Sequence, residues 1–403
     1  MILLIAILIL IFPPLSALGF VLLWKNPTQW KYAVFMYACF MGWLAFTYVP
    51  LLASQTDLTR YLLDLNIYKN YPLSEVFNIF YYKEIGEIIW IKAIGIVGIP
   101  GLLAGIPTAV IYGITGYITC DYAQRKNKLQ EIRWVLPVQF LLLPFASIVN
   151  NIFNVTAFSL IILAAYRDLI QGKRNLFTLG LYIVPCIIHQ SAPILILARL
   201  IAIVYKRFKY LSIAMIFGLP TLVNISYHYN SLFINFKPIY KVIIYANLYL
   251  NEFVDSDFAI AVRTALLPRL NFWINLIFSF LTVFSISLIW KQRGRKFPLL
   301  NTRENVFLSF IFIIAVLALS CVCFSAPHYW RFNFAIQTAI GIILVYLNSS
   351  NAMNQLLRIS FALLGMSQFV IQTYLLLFRY TLPDQWLVNF LLVPPVRWAI
   401  EML

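Results

Sequence analysis

Along the whole chain, apolar runs of membrane length alternate with short clusters of Lys and Arg. Few folds accept this pattern. A span of about 20 apolar residues matches the roughly 30 Å hydrocarbon core of a bilayer. Inside that core every backbone N–H and C=O must be satisfied within the protein, so the runs must be helices or strands of a closed barrel. Their length selects helices. Hydrophobic residues make up 62% of the 403, and charged residues only 11%. Soluble domains carry about 25% charged residues, and a soluble core of this length could not hide so much apolar surface. A soluble enzyme, a nucleic-acid-binding domain and a disordered chain are thereby excluded.

The expected fold is an all-α polytopic membrane protein of about twelve spans. They fall at roughly 2–24, 32–53, 88–119, 134–149, 152–166, 175–188, 191–205, 210–226, 270–290, 305–325, 332–347 and 359–378. The chain is expected to form a single bundle over 1–403, with outer loops 54–87 and 227–269 and no soluble domain. The third span contains Gly95, Gly98, Pro100, Gly101, Gly105 and Pro107, which predicts a kink or a break. The sixth and seventh spans are short and meet at Cys186–Ser191, as a tight hairpin or a re-entrant pair. The five cysteines lie in or beside apolar runs and read as small core hydrophobes.

The net charge of +16 is a topology signal. One alternate set of connectors holds 18 Lys/Arg against 4 Asp/Glu; the other holds 10 against 10. Excess Lys/Arg marks the cytoplasmic side. Both termini and both long loops are then expected outside. The first 24 residues lack the basic start of a signal peptide and read as a retained helix. The outer side carries 10 of 14 carboxylates and all three histidines, so chemistry is sought there.

Asp57, Arg60, Tyr61 and Asp64 recur at helical spacing. They would share one face of a short helix above the bilayer, either as a self-paired solvated start or as a phosphate- or sugar-binding face. Tyr68, Tyr71, Phe77, Phe80, Tyr81 and Tyr82 follow, as interface anchors or as the walls of a sugar groove, and Lys83, Glu84 and Glu87 close the loop. His189 and Gln190 sit at the tip of the short hairpin, where an imidazole could cap a helix end or act as a base near neutral pH. Arg199 lies within a span and needs an anionic partner or a wet cavity; the apolar runs offer almost no carboxylate. Asn150, Asn151 and Asn154 cluster at an outer helix start, one of them explicable as a cap. His228, Tyr229, Arg263 and Arg269 belong to the second long loop. His328 and Arg331 belong to the last outer turn, where arginine forks suit phosphate oxygens and an aromatic belt is the plain alternative. The sequence has no phosphate-binding glycine loop, no nucleotide fingerprint, no histidine-rich metal cluster and no nucleophile elbow, so no cofactor and no metal are expected.

Three stretches resemble the EpsG/Wzy group of bacterial surface-polysaccharide polymerases. They are Asp57-Leu58-Thr59-Arg60-Tyr61 with Leu73-Ser74-Glu75 and Glu84-Ile85-Gly86; Gly172-Lys173-Arg174 followed by Ile188-His189-Gln190-Ser191-Ala192-Pro193; and the turn ending Arg331-Phe332. The likeness covers about residues 50 to 350 through short, degenerate motifs. One departure stands out: such proteins often begin the helix before the basic turn with an arginine, and this chain has Asn150-Asn151-Ile152-Phe153-Asn154.

The resemblance implies a fold similar to C-type glycosyltransferases and a metal-independent membrane glycosyltransferase in the bacterial inner membrane. Its substrate would be a polyprenyl-diphosphate-linked oligosaccharide repeat unit, polymerised on the outer face. The expected partners are the bilayer, a flippase and a chain-length regulator, with no nucleic acid. In that scheme His189, Asp57, Asp64 or Glu84 takes the acceptor's proton. Arg60, Tyr61, Asn150, Asn151, Gln190, Arg199, Arg263, Arg269, His328 and Arg331 hold substrate or diphosphate. An O-antigen ligase, another outward-facing transferase such as a sugar O-acyltransferase, or a flippase or transporter of lipid-linked oligosaccharide would need a related pocket. A transporter should carry polar residues along whole helices and on both sides, whereas those of this sequence concentrate outside, with Arg199 the deepest.

Overall fold

The computed structural model describes residues 26–51, 56–79, 83–204, 266–292, 302–324, 326–347 and 351–392. The expected spans at 2–24 and 210–226, most of the loop 227–269, and Phe80, Tyr81, Tyr82, His228, Tyr229 and Arg263 lie outside them. The described residues are mostly helical, with no strand among them. Among the described residues five helices are long and apolar enough to cross a membrane: Leu102–Arg125, Ile152–Ile170, Arg269–Gln292, Arg303–Ser320 and Ala352–Phe378. The chain is therefore an all-α membrane protein.

In chain order the helices are α1 Trp30–Phe46, α2 Asp57–Asn70, α3 Leu73–Ile79, α4 Ile85–Val97, α5 Leu102–Arg125, α6 Ile132–Leu142, α7 Phe145–Asn150 and α8 Ile152–Ala165. They continue as α9 Leu176–Ile188, α10 Ala192–Val204, α11 Leu266–Gln292, α12 Thr302–Phe324, α13 Ala326–Tyr346, α14 Ala352–Leu375 and α15 Pro383–Leu392. Two compact units emerge. The first comprises Met1–Ala164, Arg174–Pro193 and Gly365–Leu403; the second comprises Ala165–Lys173 and Ile194–Leu364.

In the first unit, the expected third span is two helices. α4 ends where Gly98 takes φ 78°, a left-handed conformation that glycine adopts without strain, and its N–H returns to the Ile94 carbonyl. Pro100 and Gly101 then open α5. A row of small residues, Gly101, Gly105 and Ala109, brings α5 close to α1: a Cβ added at Gly42 of α1 would stand 2.7 Å from the Ala109 methyl. Packing of this kind replaces the hydrophobic drive that lipid cannot supply. The expected span 134–149 is also two pieces, α6 and α7, broken at Leu143–Pro144.

Among its described residues, the loop expected at 54–87 is helical. α2 starts at Thr56, whose hydroxyl accepts from the Thr59 N–H at 3.4 Å. Its buried face, Leu58, Leu65 and Tyr68, has helical spacing and packs on Ile88, Ile91 and Ile94 of α4. Its C-terminal carbonyls are closed by a lysine from α4: Lys92 Nζ donates to Tyr68 O at 2.5 Å and to Tyr71 O at 2.6 Å. Lys92 thus ties the end of α2 to α4.

α9 and α10 have 13 residues each, so each is about 20 Å long at 1.5 Å per residue. That is shorter than the hydrocarbon core. The residues joining them, His189-Gln190-Ser191, form a tight turn.

In the second unit, α8 runs on through a π turn, Tyr166–Ile170. α12 and α13 pack along their lengths, with Phe310, Ile314, Ala318, Ile336, Ile340 and Leu344 buried. α11 carries a buried polar stripe, Asn271, Asn275, Ser279, Thr282 and Ser285. Ser279 Oγ donates to Asn333 Oδ1 of α13 at 2.6 Å, and Asn333 Nδ2 donates to the Asn275 carbonyl at 3.2 Å. The stripe runs counter to the expectation that polar residues concentrate outside with Arg199 the deepest.

Candidate functional site

Within the first unit, α2, the start of α4, the α7–α8 junction and the end of α9 converge on one polar centre. Its base is apolar: Leu58, Leu65, Ile88, Ile91, Val149, Ile152 and Phe153 form one cluster, with Tyr61, Leu62 and Ile188 against it. Gly86 makes the convergence close. A Cβ there would lie 2.8 Å from Ile188 Cα and 2.9 Å from the Ile187 carbonyl oxygen. The residue after Gly86 is Glu87, and the residue after Ile188 is His189.

Glu87 is 7% exposed. Lys83 holds it from one turn back, with Nζ 3.4 Å from Oε1, and the same ammonium pairs with Asp64 of α2. Burial raises the Glu87 carboxyl from its ordinary 4.5 to about 7; Lys83 works against the shift, and Glu84 and Asp64 add to it. A carboxyl poised there can give or take a proton near neutral pH. In the sequence Glu87 stands only at the loop boundary, and Glu84 is the expected candidate. Glu84 is instead the N-cap residue of α4, with no capping bond from its side chain. The signal for Glu87 was its place in the first turn of an apolar helix, where burial is hard to avoid.

The four residues expected on one face of α2 are divided in the structure. Asp57 and Arg60 pair with each other, and the Arg60 side chain is 66% exposed. Asp64 turns to Lys83. Tyr61 is packed edge-on against Phe153, with ring centroids 4.8 Å apart. Burial pushes the Tyr61 hydroxyl well above its ordinary range, with Asp57 and Glu87 adding to the rise. It stays protonated and can donate.

His189 is the C-cap residue of α9 and is 8% exposed. The Ser191 N–H donates to its Nδ1 at 3.1 Å. The neutral ring then carries its proton on Nε2 and presents a donor there. Its ring stands edge-on to Phe158 of α8, centroids 6.4 Å apart. Gln190 follows, half-buried. Asn150 Nδ2 donates to Ala146 O at 2.9 Å, and Asn151 Nδ2 donates to Ser147 O at 3.0 Å. Asn154 is 4% exposed.

The remaining candidates belong to the second unit. Arg199 pairs with Asp168, Nη2 to Oδ2 at 2.6 Å, both buried. The apolar runs were expected to offer almost no carboxylate, and Asp168 is the one that Arg199 meets. The helix was expected to end at 166; the π turn carries it to Ile170 and brings Asp168 inside. Arg269 is exposed on α11, Arg331 is half-buried on α13, and His328 lies in the first turn of α13. No group of three or more His, Cys, Asp or Glu side chains able to hold a metal occurs among the described residues.

Comparisons with protein-family models, with curated proteins and with solved structures give no match for this chain.

Proposed function

We propose that the protein is a membrane glycosyltransferase of the outer face of a bacterial inner membrane. It would join repeat units carried on polyprenyl diphosphate into a surface polysaccharide. The observation that carries this reading is the buried Glu87–Lys83–Asp64 group packed against the chain segment of His189. The reading also leans on the charge asymmetry of the connectors and the motif resemblance.

In this mechanism the acceptor sugar hydroxyl attacks the anomeric carbon of the growing chain. The bond from that carbon to the diphosphate oxygen breaks, and its electron pair leaves with the diphosphate. The hydroxyl proton passes to the Glu87 carboxylate. Arg60, Lys83 and the Nε2–H of His189 face the charge that builds on the leaving group. His189 acts as a donor here because Ser191 engages its Nδ1. Both substrates are anchored in the same membrane, so positioning supplies much of the rate. The scheme uses no cofactor and no metal. A flippase would supply the lipid-linked unit, and a chain-length regulator is the natural partner.

The test is a gel of surface polysaccharide from a strain lacking the gene, complemented with wild type, Glu87→Gln or His189→Ala. The proposal expects single-repeat material in the deletion and with Glu87→Gln, and a long ladder with wild type. A full ladder from Glu87→Gln removes the base assignment. An unchanged ladder in the deletion removes the polymerase.

One observation favours a second reading. The buried polar stripe of α11 runs from Asn271 to Ser285, as a transporter of lipid-linked oligosaccharide would need. For that protein the deletion would leave no repeat unit at the surface at all.

A further inference from the structure

Three polar atoms at the α7–α8 junction are buried without a partner among the described residues: Nδ2 and Oδ1 of Asn154, and Oδ1 of Asn150. Asn154 is 4% exposed and Asn150 7%. Buried polar groups in native proteins nearly always find a partner, so such a cluster calls for an occupant. Its chemistry narrows the choice. Asn154 offers two N–H donors and a carbonyl acceptor, and Asn150 offers an acceptor. Neither is charged. A phosphate, which only accepts, would leave both acceptors unmet. A group that donates and accepts at adjacent atoms meets them all, and the hydroxyl edge of a sugar ring is such a group.

The surroundings agree. Phe153, beside Asn154, stands edge-on to Tyr61. Phe158, one turn further on, stands edge-on to His189. The Nε1–H of Trp90, one turn beyond Glu87 on α4, is a further buried donor without a partner. The orphaned groups thus border the proposed reaction centre, on elements of the same unit.

We propose that Asn154 and Asn150 form a binding subsite for an uncharged sugar ring of the repeat unit, adjoining Glu87 and His189. The subsite rests on the polymerase reading for the identity of the sugar; its hydrogen-bonding chemistry rests on the orphaned amides alone. It gives a role to the stretch where an arginine would be expected: recognition there is by neutral amides, so it reads hydroxyls and not phosphate.

The test uses full-length protein in lipid nanodiscs. The probe is the repeat-unit oligosaccharide cleaved from the strain's own surface polymer. Saturation-transfer NMR measures its binding to wild type, Asn154→Leu and Asn154→Ser. Leu has nearly the shape of Asn and removes both orphaned atoms; Ser gives the same reading should the Leu variant fail to fold. Loss of the amide should weaken binding about tenfold and raise KM for the acceptor similarly, with kcat within about twofold. Wild-type binding in an Asn154 variant, or no transfer to wild type, overturns the subsite; in the first case water satisfied the amides. The polymerase reading fails separately, through an unchanged ladder in the deletion strain, and a loss of binding in Asn154→Leu would stand regardless.

Discussion

The ammonium of Lys92 lies 2.5 Å from the carbonyl oxygen of Tyr68, closing the C-terminal end of α2 from below. It also reaches the Tyr71 carbonyl at 2.6 Å and the Lys69 carbonyl at 3.3 Å. A cation at a helix C-terminus satisfies orphan carbonyls and complements the helix dipole. α2 carries Asp57, Arg60, Tyr61 and Asp64, so the clamp holds their register against α4.

Lys92→Met keeps most of the stem and removes the charge. Hydrogen bonds to a charged group contribute about 1.5–3 kcal/mol. Amide hydrogen exchange over residues 66–71 should then quicken by at least about tenfold, with little change in the α1–α5 pair. Unchanged exchange in that segment would show that apolar packing alone holds α2.

Glu87 gives a pH signature whose sign is fixed by the direction of its shift. The folded carboxyl, at about 7, binds its proton more tightly than the unfolded one at 4.5. Its stabilising contribution is complete below about 4.5 and is lost as pH rises through about 7. A shift of this size is worth on the order of 3 kcal/mol. Wild type should therefore lose thermal stability across that window relative to Glu87→Gln, whose amide does not titrate. Under the proposed mechanism transfer activity has the opposite slope, because the base must be ionised: it should rise with pH up to about 7. Parallel melting curves for the two proteins from pH 4.5 to 7.5 would contradict the assignment.

Gly86 sets the distance between α4 and the end of α9. A methyl there meets backbone at 2.8 and 2.9 Å, Ile188 Cα and the Ile187 carbonyl oxygen, and backbone cannot rotate away. Gly86→Ala should cost about 1–3 kcal/mol by overpacking. It should also displace His189 and, under the proposed function, lower polymer length more than stability alone explains. Gly180, where an added Cβ meets nothing within 4 Å, is the control: Gly180→Ala should leave both unchanged.

Much of this was legible in the sequence, for physical reasons. Apolar length reveals the helices because the bilayer enforces it. The break at Gly98–Gly101 was legible because glycine and proline mark it directly. The helical spacing of α2 was legible, but its pairing was not: Asp64 turns to Lys83, 19 residues away, which no local periodicity encodes. Glu87 was legible only as a loop-closing residue at the start of an apolar helix; the contacts from α2 and α9 that bury it are not local. Asp168 was hidden by a π turn, which lengthens a helix without any distinct composition.

The Arg199–Asp168 pair allows a test independent of any activity. Both side chains are buried, and the Nε and Nη1 atoms of Arg199 have no partner among the described residues. Removing one partner strands the other charge in a poorly solvated place, which costs about 3–5 kcal/mol. Arg199→Met and Asp168→Leu should each lower the melting temperature strongly in detergent micelles. The double variant should recover most of the loss, because two apolar side chains strand nothing. The coupling between the two substitutions should exceed about 2 kcal/mol. Additive losses would mean that Arg199 is held chiefly by something other than Asp168.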